Sequence, residues 1–412
     1  MLSFIHKRRT AISVGIILLP FIVVAAITGL HHPFDFDEGD YHVPVVEQFI
    51  AEVPALDLVN YRSATTPLMH LTLAVWGMMV GTESWKLRLP VLLAGMLSSV
   101  IFFILLRERK EPWPLRITFF LVASPYFFWL SFLVMTEVFA FLFGILALRY
   151  FLRTPSKRRD MAFFALWGSL AVLARQQWLF LPLGAGLYWL WQDRDLRRAA
   201  WAAIPVLVFL PFVILWGGTA PPIKWATPHD LTINLVQIPH VFIVIGFYFF
   251  PALFTAPVSW RRLALPTLAA LPFFAFTPLI ENAPSSLQFL SAQSAFSGLI
   301  AKVGNLAAGF LPPIFIYASF FVLFIIGALI LFQAWRRRYE DHTERLWFVM
   351  GAFFLMLLTV GQAWERYLLP AIPLFILIFY APQRNHRWIL NPWLAVQLFL
   401  LSGFLFYQIA LP

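Results

Sequence analysis

Residues 11–30 read AISVGIILLPFIVVAAITGL, an unbroken apolar run that follows the basic stretch His6-Lys7-Arg8-Arg9. A helix of about 20 apolar residues is the length that crosses the hydrocarbon core of a bilayer. The run is too long for the core of a typical signal peptide, and it lacks a small-residue cleavage pattern. We therefore interpret it as a retained first membrane helix.

Similar apolar runs recur along the whole chain of 412 residues, of which 61% are hydrophobic and only 12% are charged. An ordinary soluble domain has about twice this charged fraction, and a soluble protein of this length has too little polar surface to cover so much apolar material. The runs predict an all-α transmembrane helical bundle of about 13 spans, which we treat as a single domain over residues 1–412. The predicted spans are residues 11–30, 87–106, 115–133, 134–152, 161–175, 178–192, 200–216, 238–256, 263–280, 309–333, 346–362, 367–381 and 389–410. The absence of cysteine excludes disulfides, thiolate metal sites and cysteine nucleophiles.

The positions of the basic residues are consistent with this topology. With the N-terminus in the cytoplasm, the predicted inside segments hold 23 of the 30 Lys and Arg residues, as the positive-inside rule requires. The formal net charge of +10 therefore reflects membrane orientation and contact with anionic lipid, and not nucleic-acid binding.

The first external loop, residues 31–86, is rich in acids, and seven of the 20 Asp and Glu residues lie between Asp35 and Asp57. Apolar and polar residues after Pro44 follow helical spacing, which predicts a short amphipathic helix in the membrane interface. A second element opens at Thr66-Pro67 and stays apolar to Gly81. It is too short to span comfortably, so we expect it to lie on or dip into the outer leaflet.

Three carboxylates, Asp35, Asp37 and Glu38, follow the first span almost directly. They are expected near the outer surface of the membrane. A carboxylate held there under two short helices can act as a general base that takes a proton from a hydroxyl group. The same acids also fit a solvated loop edge, and the two interpretations are about equally favoured.

Two arginines, Arg175 and Arg366, lie at the outer ends of predicted spans, away from the cytoplasmic arginines. A guanidinium held there can bind an anionic group such as a phosphate, which makes both of them candidates for a binding site. Arg175 equally fits a residue that snorkels or binds a lipid headgroup, and Arg366 fits one that pairs with Glu365. The histidines near the acids match no metal-ligand spacing, so we expect no metal site.

Four short motifs occur in order over about the first 180 residues. They are Asp37-Glu38 followed by His42-Val43-Pro44, then Thr65-Thr66-Pro67, then Ser124-Pro125-Tyr126-Phe127-Phe128 leading to Met135-Thr136-Glu137, and finally Arg175-Gln176-Gln177-Trp178. With the short interfacial helices and the many spans, they resemble the C-class membrane glycosyltransferases (GT-C type), which use polyprenyl-phosphate-linked donors. Within that superfamily the chain is most similar to the dolichyl-phosphate-glucose-dependent alpha-1,2-glucosyltransferases of N-glycan precursor assembly.

The resemblance implies an inverting hexosyltransferase of protein glycosylation. It would move a sugar, with glucose favoured, from a dolichyl- or polyprenyl-phosphate donor to a lipid-linked or other extracytoplasmic acceptor. Combining the motifs with the positions of the charged residues, we predict Asp37, Glu38 and Asp35 as catalytic. We predict Arg175, Arg366 and His42 as ligands of the donor phosphate, and Asp40, Glu137, Gln176 and Thr66 as ligands of the acceptor or sugar. Asp35, Asp40 and Arg366 lie outside the matched motifs.

The expected partners are the lipid bilayer, the donor and a lipid-linked glycan acceptor, with no cofactor, metal or nucleic acid. Because the chain is shorter than the eukaryotic enzymes it resembles, we expect a prokaryotic cell membrane, or the endoplasmic reticulum membrane if the source is eukaryotic. The N-terminus would be cytoplasmic and the active site non-cytoplasmic.

The chain departs from the family pattern at three points. One extra residue separates the acid pair from His42, Glu137 stands in place of an Asp, and the Asn after Arg-Gln is missing. The base is therefore left open among Asp35, Asp37 and Glu38.

Two other functions stay open. A transporter or flippase for lipid-linked sugars would show repeated halves and charges at mid-membrane. A glycan ligase or polymerase with lipid-diphosphate donors would carry its main acceptor-binding loop late in the chain.

Overall fold

The computed structural model describes residues 2–32, 37–153, 157–222, 233–255, 299–300, 307, 309–339, 343–360, 365–380 and 387–410. Every regular element within these ranges is helical, and they contain no β-strand, which confirms the prediction of an all-α protein. Helices suit a chain surrounded by lipid because a helix satisfies its backbone hydrogen bonds internally.

The chain divides into two compact units, which are described separately. The first unit comprises residues 1–229 and 398–412, and the second comprises residues 230–397. The single domain over residues 1–412 stays a prediction. The helices that lie wholly in the first unit are α1 Leu2–Thr28, α2 Val43–Glu52, α3 Leu68–Val80, α4 Ser84–Glu108, α5 Pro114–Val122, α6 Pro125–Leu130, α7 Thr136–Phe151, α8 Arg158–Ala174, α9 Phe180–Trp191 and α10 Leu196–Trp216. The helix Arg387–Ala410 has residues assigned to both units.

Four segments in the described part of the chain are helical, long enough and apolar enough to cross a membrane. They are Arg9–Thr28, Ser84–Glu108, Leu196–Trp216 and Ile314–Arg336. These helices support the prediction of a membrane protein. The predicted span over residues 263–280 lies outside the described residues, and the total of about 13 spans stays a prediction.

Helix α1 shows why lipid has to be the solvent. It buries Ile17 and Phe21 completely, yet most of its large apolar side chains are exposed. The exposed set is Ile12, Ile16, Leu19, Ile22, Val23 and Ile27. A contiguous apolar surface of this kind is unfavourable in water and favourable against lipid tails.

The first loop contains helices where the sequence predicts them. A π-helical turn, Glu38–His42, leads directly into α2, which buries Val45, Val46 and Phe49 and exposes Glu47. Helix α3 packs against α2 and begins at Leu68, slightly later than the predicted start at Thr66-Pro67. The position of both helices in the membrane interface stays a prediction.

The span predicted over residues 115–133 is two short helices, α5 and α6, in the structure. The break falls at Ser124, whose backbone is extended, immediately before Pro125. Proline has no amide hydrogen to donate, and it disfavours helical geometry at the residue before it. This proline therefore ends one helix and starts the next.

Helix α8 lies at the centre of the first unit and packs against α7 on one side and α10 on the other. Gly168 of α8 meets Pro205 of α10, where an added Cβ would lie 3.1 Å from the proline ring. Beyond the end of α8, the ring of Trp178 occupies the space where a side chain at Gly144 of α7 would stand. These contacts fix the C-terminal end of α8, where Arg175 and Gln176 follow.

The second unit contains α11 Gln237–Tyr248, α12 Pro313–Arg336 and α13 Glu344–Leu357, followed by a broken helical segment from Glu365 to Tyr380. Helices α11 and α12 approach closely at Gly246 and Gly327, where an added Cβ would overlap a carbonyl of the opposite helix. Small residues of this kind let membrane helices pack backbone to backbone.

Candidate functional site

A buried ion pair lies at the start of the first loop. Glu38 accepts hydrogen bonds from Arg88 of α4, with 3.0 Å from Nε to Oε1 and 2.6 Å from Nη2 to Oε2. Both side chains are completely buried. Oε1 also accepts the backbone amide of Val134 at 2.6 Å. Both carboxylate oxygens of Glu38 are therefore engaged within the protein.

Arg88 also holds the end of α1. Its Nη1 donates to the carbonyl oxygen of Leu30 at 3.0 Å and to that of His32 at 2.6 Å. One guanidinium thus joins three parts of the chain: the end of α1, the π-helical turn and α4. Charge-assisted, two-pronged hydrogen bonds of this kind are among the strongest in proteins and fix geometry as well.

The acids of the first loop differ in their exposure. Glu38 is buried, Asp37 is half-buried, and Asp40 is exposed. Asp37 has helical backbone geometry, with φ −66° and ψ −34°, and directly precedes the braced turn. Asp35 lies outside the described residues. Asp37 is therefore a carboxylate on a fixed backbone that keeps partial access to its surroundings.

A pair of histidines lies at the end of the same turn. His42 Nδ1 and His70 Nε2 share a hydrogen bond of 3.0 Å, and His70 is completely buried between α2 and the loop that precedes α3. The rings of Phe49 and Tyr61 surround His70. Burial, together with the neighbouring His42, lowers the pKa of His70 well below its usual value, so its imidazole is neutral near pH 7.

Thr66 and Gln176 fasten the first loop to the end of α8. The Thr66 hydroxyl donates to the carbonyl oxygen of Val172 at 2.8 Å, and the Thr66 amide donates to Gln176 Oε1 at 3.2 Å. Gln176 Nε2 in turn donates to the carbonyl oxygen of Ala64 at 2.7 Å. The position of Thr66 before Pro67 suggests a helix cap, but Thr66 does not cap α3. Its hydroxyl binds a neighbouring helix instead.

Arg175 meets the start of α7. Its Nη1 lies 3.1 Å from Glu137 Oε1 and donates to Thr136 Oγ1 at 2.8 Å. Thr136 and Glu137 are buried, and the Arg175 side chain is 11% exposed. Arg175 adopts an extended conformation at the end of α8, and Gln176 begins a 3₁₀ turn. This change of direction lets the Arg175 and Gln176 side chains reach different partners.

The four sequence motifs thus meet in the first unit. The amide of Val134 binds Glu38, while Thr136 and Glu137, two and three positions later, bind Arg175. Met135 between them is extended, and an extended chain advances about 3.3 Å per residue. We call residues 134–137 the bridging segment. Its contacts link the carboxylate turn to Arg175, at attachment points no more than about 10 Å apart along the backbone.

Arg366 belongs to the second unit. It lies in a 3₁₀ helix, Glu365–Ala371, with its guanidinium 5.6 Å from the centre of the Tyr367 ring. The neighbouring Glu365 is buried and accepts the amide of Ile300 at 2.6 Å and the hydroxyl of Tyr248 at 3.3 Å. The pairing of Arg366 with Glu365 stays a prediction. A joint role for Arg366 and Arg175 stays a prediction.

The His, Asp and Glu side chains of the first unit are also possible metal ligands. Among the residues that the structure describes, no three His, Asp or Glu side chains come together as a metal site. The groups gathered in the first unit are carboxylates, imidazoles and guanidiniums. They are suited to proton transfer and to binding an anion.

Arg88 and His70 are the residues that reasoning from sequence missed. Arg88 stands near the start of an apolar helix and is one of the few basic residues outside the cytoplasmic segments. An ionisable residue within a membrane helix indicates a buried partner or a functional site, and this signal identifies Arg88. His70 is flanked by apolar residues only, and nothing in its sequence neighbourhood points to His42.

Comparison with known proteins gives distant similarities. No protein-family model matches the sequence, and no curated protein sequence matches it. Two similar solved structures are crystal structures of ArnT from Cupriavidus metallidurans. The one in the apo state is 17% identical with a TM-score of 0.42, covering 94% of this chain and 76% of that chain. The one bound to undecaprenyl phosphate is 18% identical with a TM-score of 0.43, covering 94% of this chain and 77% of that chain. Neither likeness is close enough to transfer residue roles.

Proposed function

We propose that this chain is an integral-membrane glycosyltransferase that moves a sugar from a polyprenyl-phosphate donor to an acceptor on the non-cytoplasmic face. One observation carries the proposal: four motifs spread over about 140 positions, from Asp37 to Trp178, are joined by hydrogen bonds and ion pairs within the first unit. They bring together carboxylates suited to a base and a cation suited to a phosphate.

Asp37 is the proposed base. Glu38 has both oxygens engaged by Arg88 and Val134, whereas Asp37 is half-buried and lies on the same fixed turn. In the reaction, Asp37 takes the proton from the acceptor hydroxyl as that oxygen attacks the anomeric carbon. The bond from this carbon to the donor phosphate breaks on the opposite face, and the anomeric centre inverts.

Arg175 is the proposed partner of the leaving phosphate, which departs with the electron pair of the broken bond. A guanidinium stabilises this developing charge best when it is held in place before the reaction. The contacts of Arg175 with Thr136 and Glu137 provide such positioning. Arg366 and His42 are proposed as further ligands of the donor phosphate, and Asp35 and Glu38 as neighbours that tune Asp37.

Glucose is the favoured sugar and a lipid-linked glycan the favoured acceptor, and both rest on the sequence motifs. Asp40, Glu137, Gln176 and Thr66 are proposed to line or position the acceptor side. Thr66 and Gln176 support this by holding the first loop against the end of α8, because the loop has to keep its shape around an acceptor.

Transfer of labelled sugar by the purified full-length protein in lipid vesicles tests the class. Synthetic polyprenyl-phosphate-glucose, -mannose and -arabinose are offered with extracted lipid-linked acceptors. Transfer from any of them supports the proposal, and preference for the glucose donor supports the sugar assignment. Movement of the lipid across the bilayer without transfer would make the protein a transporter, and transfer from lipid-diphosphate donors alone would make it a ligase.

A further inference from the structure

A basic cavity lies at the opposite end of α8 from Arg175. It has a volume of about 540 Å³ and is formed where the N-terminal ends of α8 and α10 meet. Four of its lining residues are cationic and one is aromatic: Lys157, Arg158, Arg197, Arg198 and Trp201. Helix α8 has 17 residues, so about 25 Å of helix separates this cavity from the candidate functional site.

The acids around this cavity are already paired with other groups. Arg198 pairs with Asp193 at 3.1 Å and with Asp195 at 3.0 Å. Asp160 pairs with Arg153 at 3.1 Å and accepts the amide of Lys157 at 2.9 Å. The local carboxylates therefore neutralise Arg198 and Arg153. These two arginines carry only part of the positive charge at and beside the cavity.

Three cations on the cavity wall form no ion pair with another described residue, although the charge of Lys157 also acts on Asp160. In the part of the chain that the structure describes, Lys157, Arg158 and Arg197 form no ion pair, and all three are exposed. They come from two different helix ends and line one concave space. Like charges held together in this way raise the local positive potential and attract an anion.

The apolar part of the wall adds to this preference. The positive ends of the α8 and α10 dipoles contribute less, because the carboxylates of Asp160 and Asp195 already accept backbone amides there. Trp201 and Met161 form the apolar part of the wall. Tryptophan is enriched at the level of lipid headgroups, where one part of a site is apolar and another is wet.

We propose that this cavity binds a phosphate group, through Lys157, Arg158 and Arg197. Guanidinium groups match the geometry of phosphate oxygens, and lysine adds a compact charge. The predicted topology puts the cavity on the cytoplasmic side, where anionic lipids are abundant. Two sources share this chemistry: the headgroup of an anionic phospholipid and a soluble phosphate compound. The proposal does not depend on glycosyl transfer.

Two binding measurements on the full-length protein distinguish the sources. The first follows binding of phosphatidylglycerol to the protein in phosphatidylcholine nanodiscs, by native mass spectrometry. The second follows the unfolding temperature in lipid-free neutral detergent as inorganic pyrophosphate is added. Binding in the first alone assigns a lipid headgroup, binding in the second alone assigns a soluble phosphate, and binding in both assigns the phosphate group itself. Each of these results supports the proposal. The absence of binding in both measurements would overturn it.

Substitutions locate the binding. The double variant Arg158→Gln with Arg197→Gln removes two charge-assisted contacts and weakens the binding about tenfold or more. Arg159→Gln is the matched control, because Arg159 lies beside Arg158 in sequence but its guanidinium stacks on Phe163. The single variant Arg197→Gln, whose side chain is exposed, serves if the double variant does not fold. Unchanged binding in the cavity variants, or equal loss in the control, would refute the assignment.

Discussion

Arg88 and Glu38, 50 positions apart in the sequence, form a two-pronged ion pair in which both side chains are fully buried. Removing two charges from water costs several kcal/mol per ion. Further hydrogen bonds offset this cost, from Arg88 to the carbonyls of Leu30 and His32 and from the Val134 amide to Glu38. The pair therefore fixes the turn that carries Asp37.

Removing one partner of this pair destabilises the protein. Arg88→Met leaves the Glu38 charge buried without its partner and lowers the free energy of unfolding by about 3–5 kcal/mol. Combining it with Glu38→Gln restores part of the loss, because no uncompensated charge remains. Denaturant unfolding in detergent, arranged as a double-mutant cycle, measures both. Lys86→Met is the control, because its pair with Glu83 is at the surface and is worth only about 0–1 kcal/mol. Equal losses of stability in Arg88→Met and Lys86→Met would contradict a stabilising role of the buried pair.

The close approach of α11 and α12 in the second unit predicts a strong effect of a single methyl group. Gly246→Ala forces the added Cβ against the carbonyl oxygen of Leu323 and destabilises the protein by about 1–3 kcal/mol. Gly351→Ala is the matched control, since nothing lies within 4 Å of its added Cβ and alanine is the better helix former. Thermal unfolding in detergent compares the two. A Gly246→Ala protein as stable as the control would show that the helices do not pack this closely.

The buried imidazole of His70 predicts a loss of stability in mild acid. Burial lowers the pKa of His70 in the folded chain, while the unfolded chain keeps a value of about 6.5. The free energy of unfolding is therefore unaffected by this group above about pH 7. Below about pH 6.5 the imidazole of His70 binds a proton in the unfolded chain but not in the folded chain. The free energy of unfolding therefore falls by up to about 1.4 kcal/mol per pH unit.

Comparing two variants isolates this effect. His70→Phe reduces the slope of stability against pH between about pH 6.5 and pH 5. Met69→Leu leaves the slope unchanged, because it alters a buried neighbour of His70 that carries no ionisable group. Urea unfolding at a series of pH values measures the slopes. The same slope in wild type and His70→Phe would mean that His70 does not resist protonation.

Arg175 is predicted to matter for the donor. Arg175→Gln removes the charge that we propose stabilises the leaving phosphate. The rate of transfer is then expected to fall by about tenfold to a hundredfold, which corresponds to one charge-assisted contact. Arg62→Gln is the control, because Arg62 is an exposed arginine of the first loop. Initial rates over a range of donor concentrations test this. A rate equal to that of the control would remove Arg175 from the site.

The sequence predicted most helices of the first unit because their signal is local. Runs of apolar residues, Pro44 at the start of α2 and the amphipathic spacing after it need no knowledge of distant residues. The predicted span over residues 115–133 failed for a local reason too, since Pro125 ends a helix that hydropathy alone would continue.

The contacts within the site were harder to predict, because they join residues far apart in the chain. The motifs contain Glu38, Glu137 and Arg175, which form ion pairs in the structure, but no spacing rule pairs Glu38 with Arg88 or His42 with His70. Thr66 illustrates the limit. Its type and position predict a helix cap, yet its hydroxyl binds the carbonyl oxygen of Val172, 106 positions away.

The most direct test of the proposed function is the rate of sugar transfer by Asp37→Asn, compared with Glu47→Gln. Glu47 is the matched control, because it is an exposed acid of the same loop on the outer face of α2. We expect Asp37→Asn to fold normally and to lose about a hundredfold or more of the rate, as expected for a general base, while Glu47→Gln keeps the wild-type rate. Full activity in Asp37→Asn would contradict the assignment of Asp37 as the base.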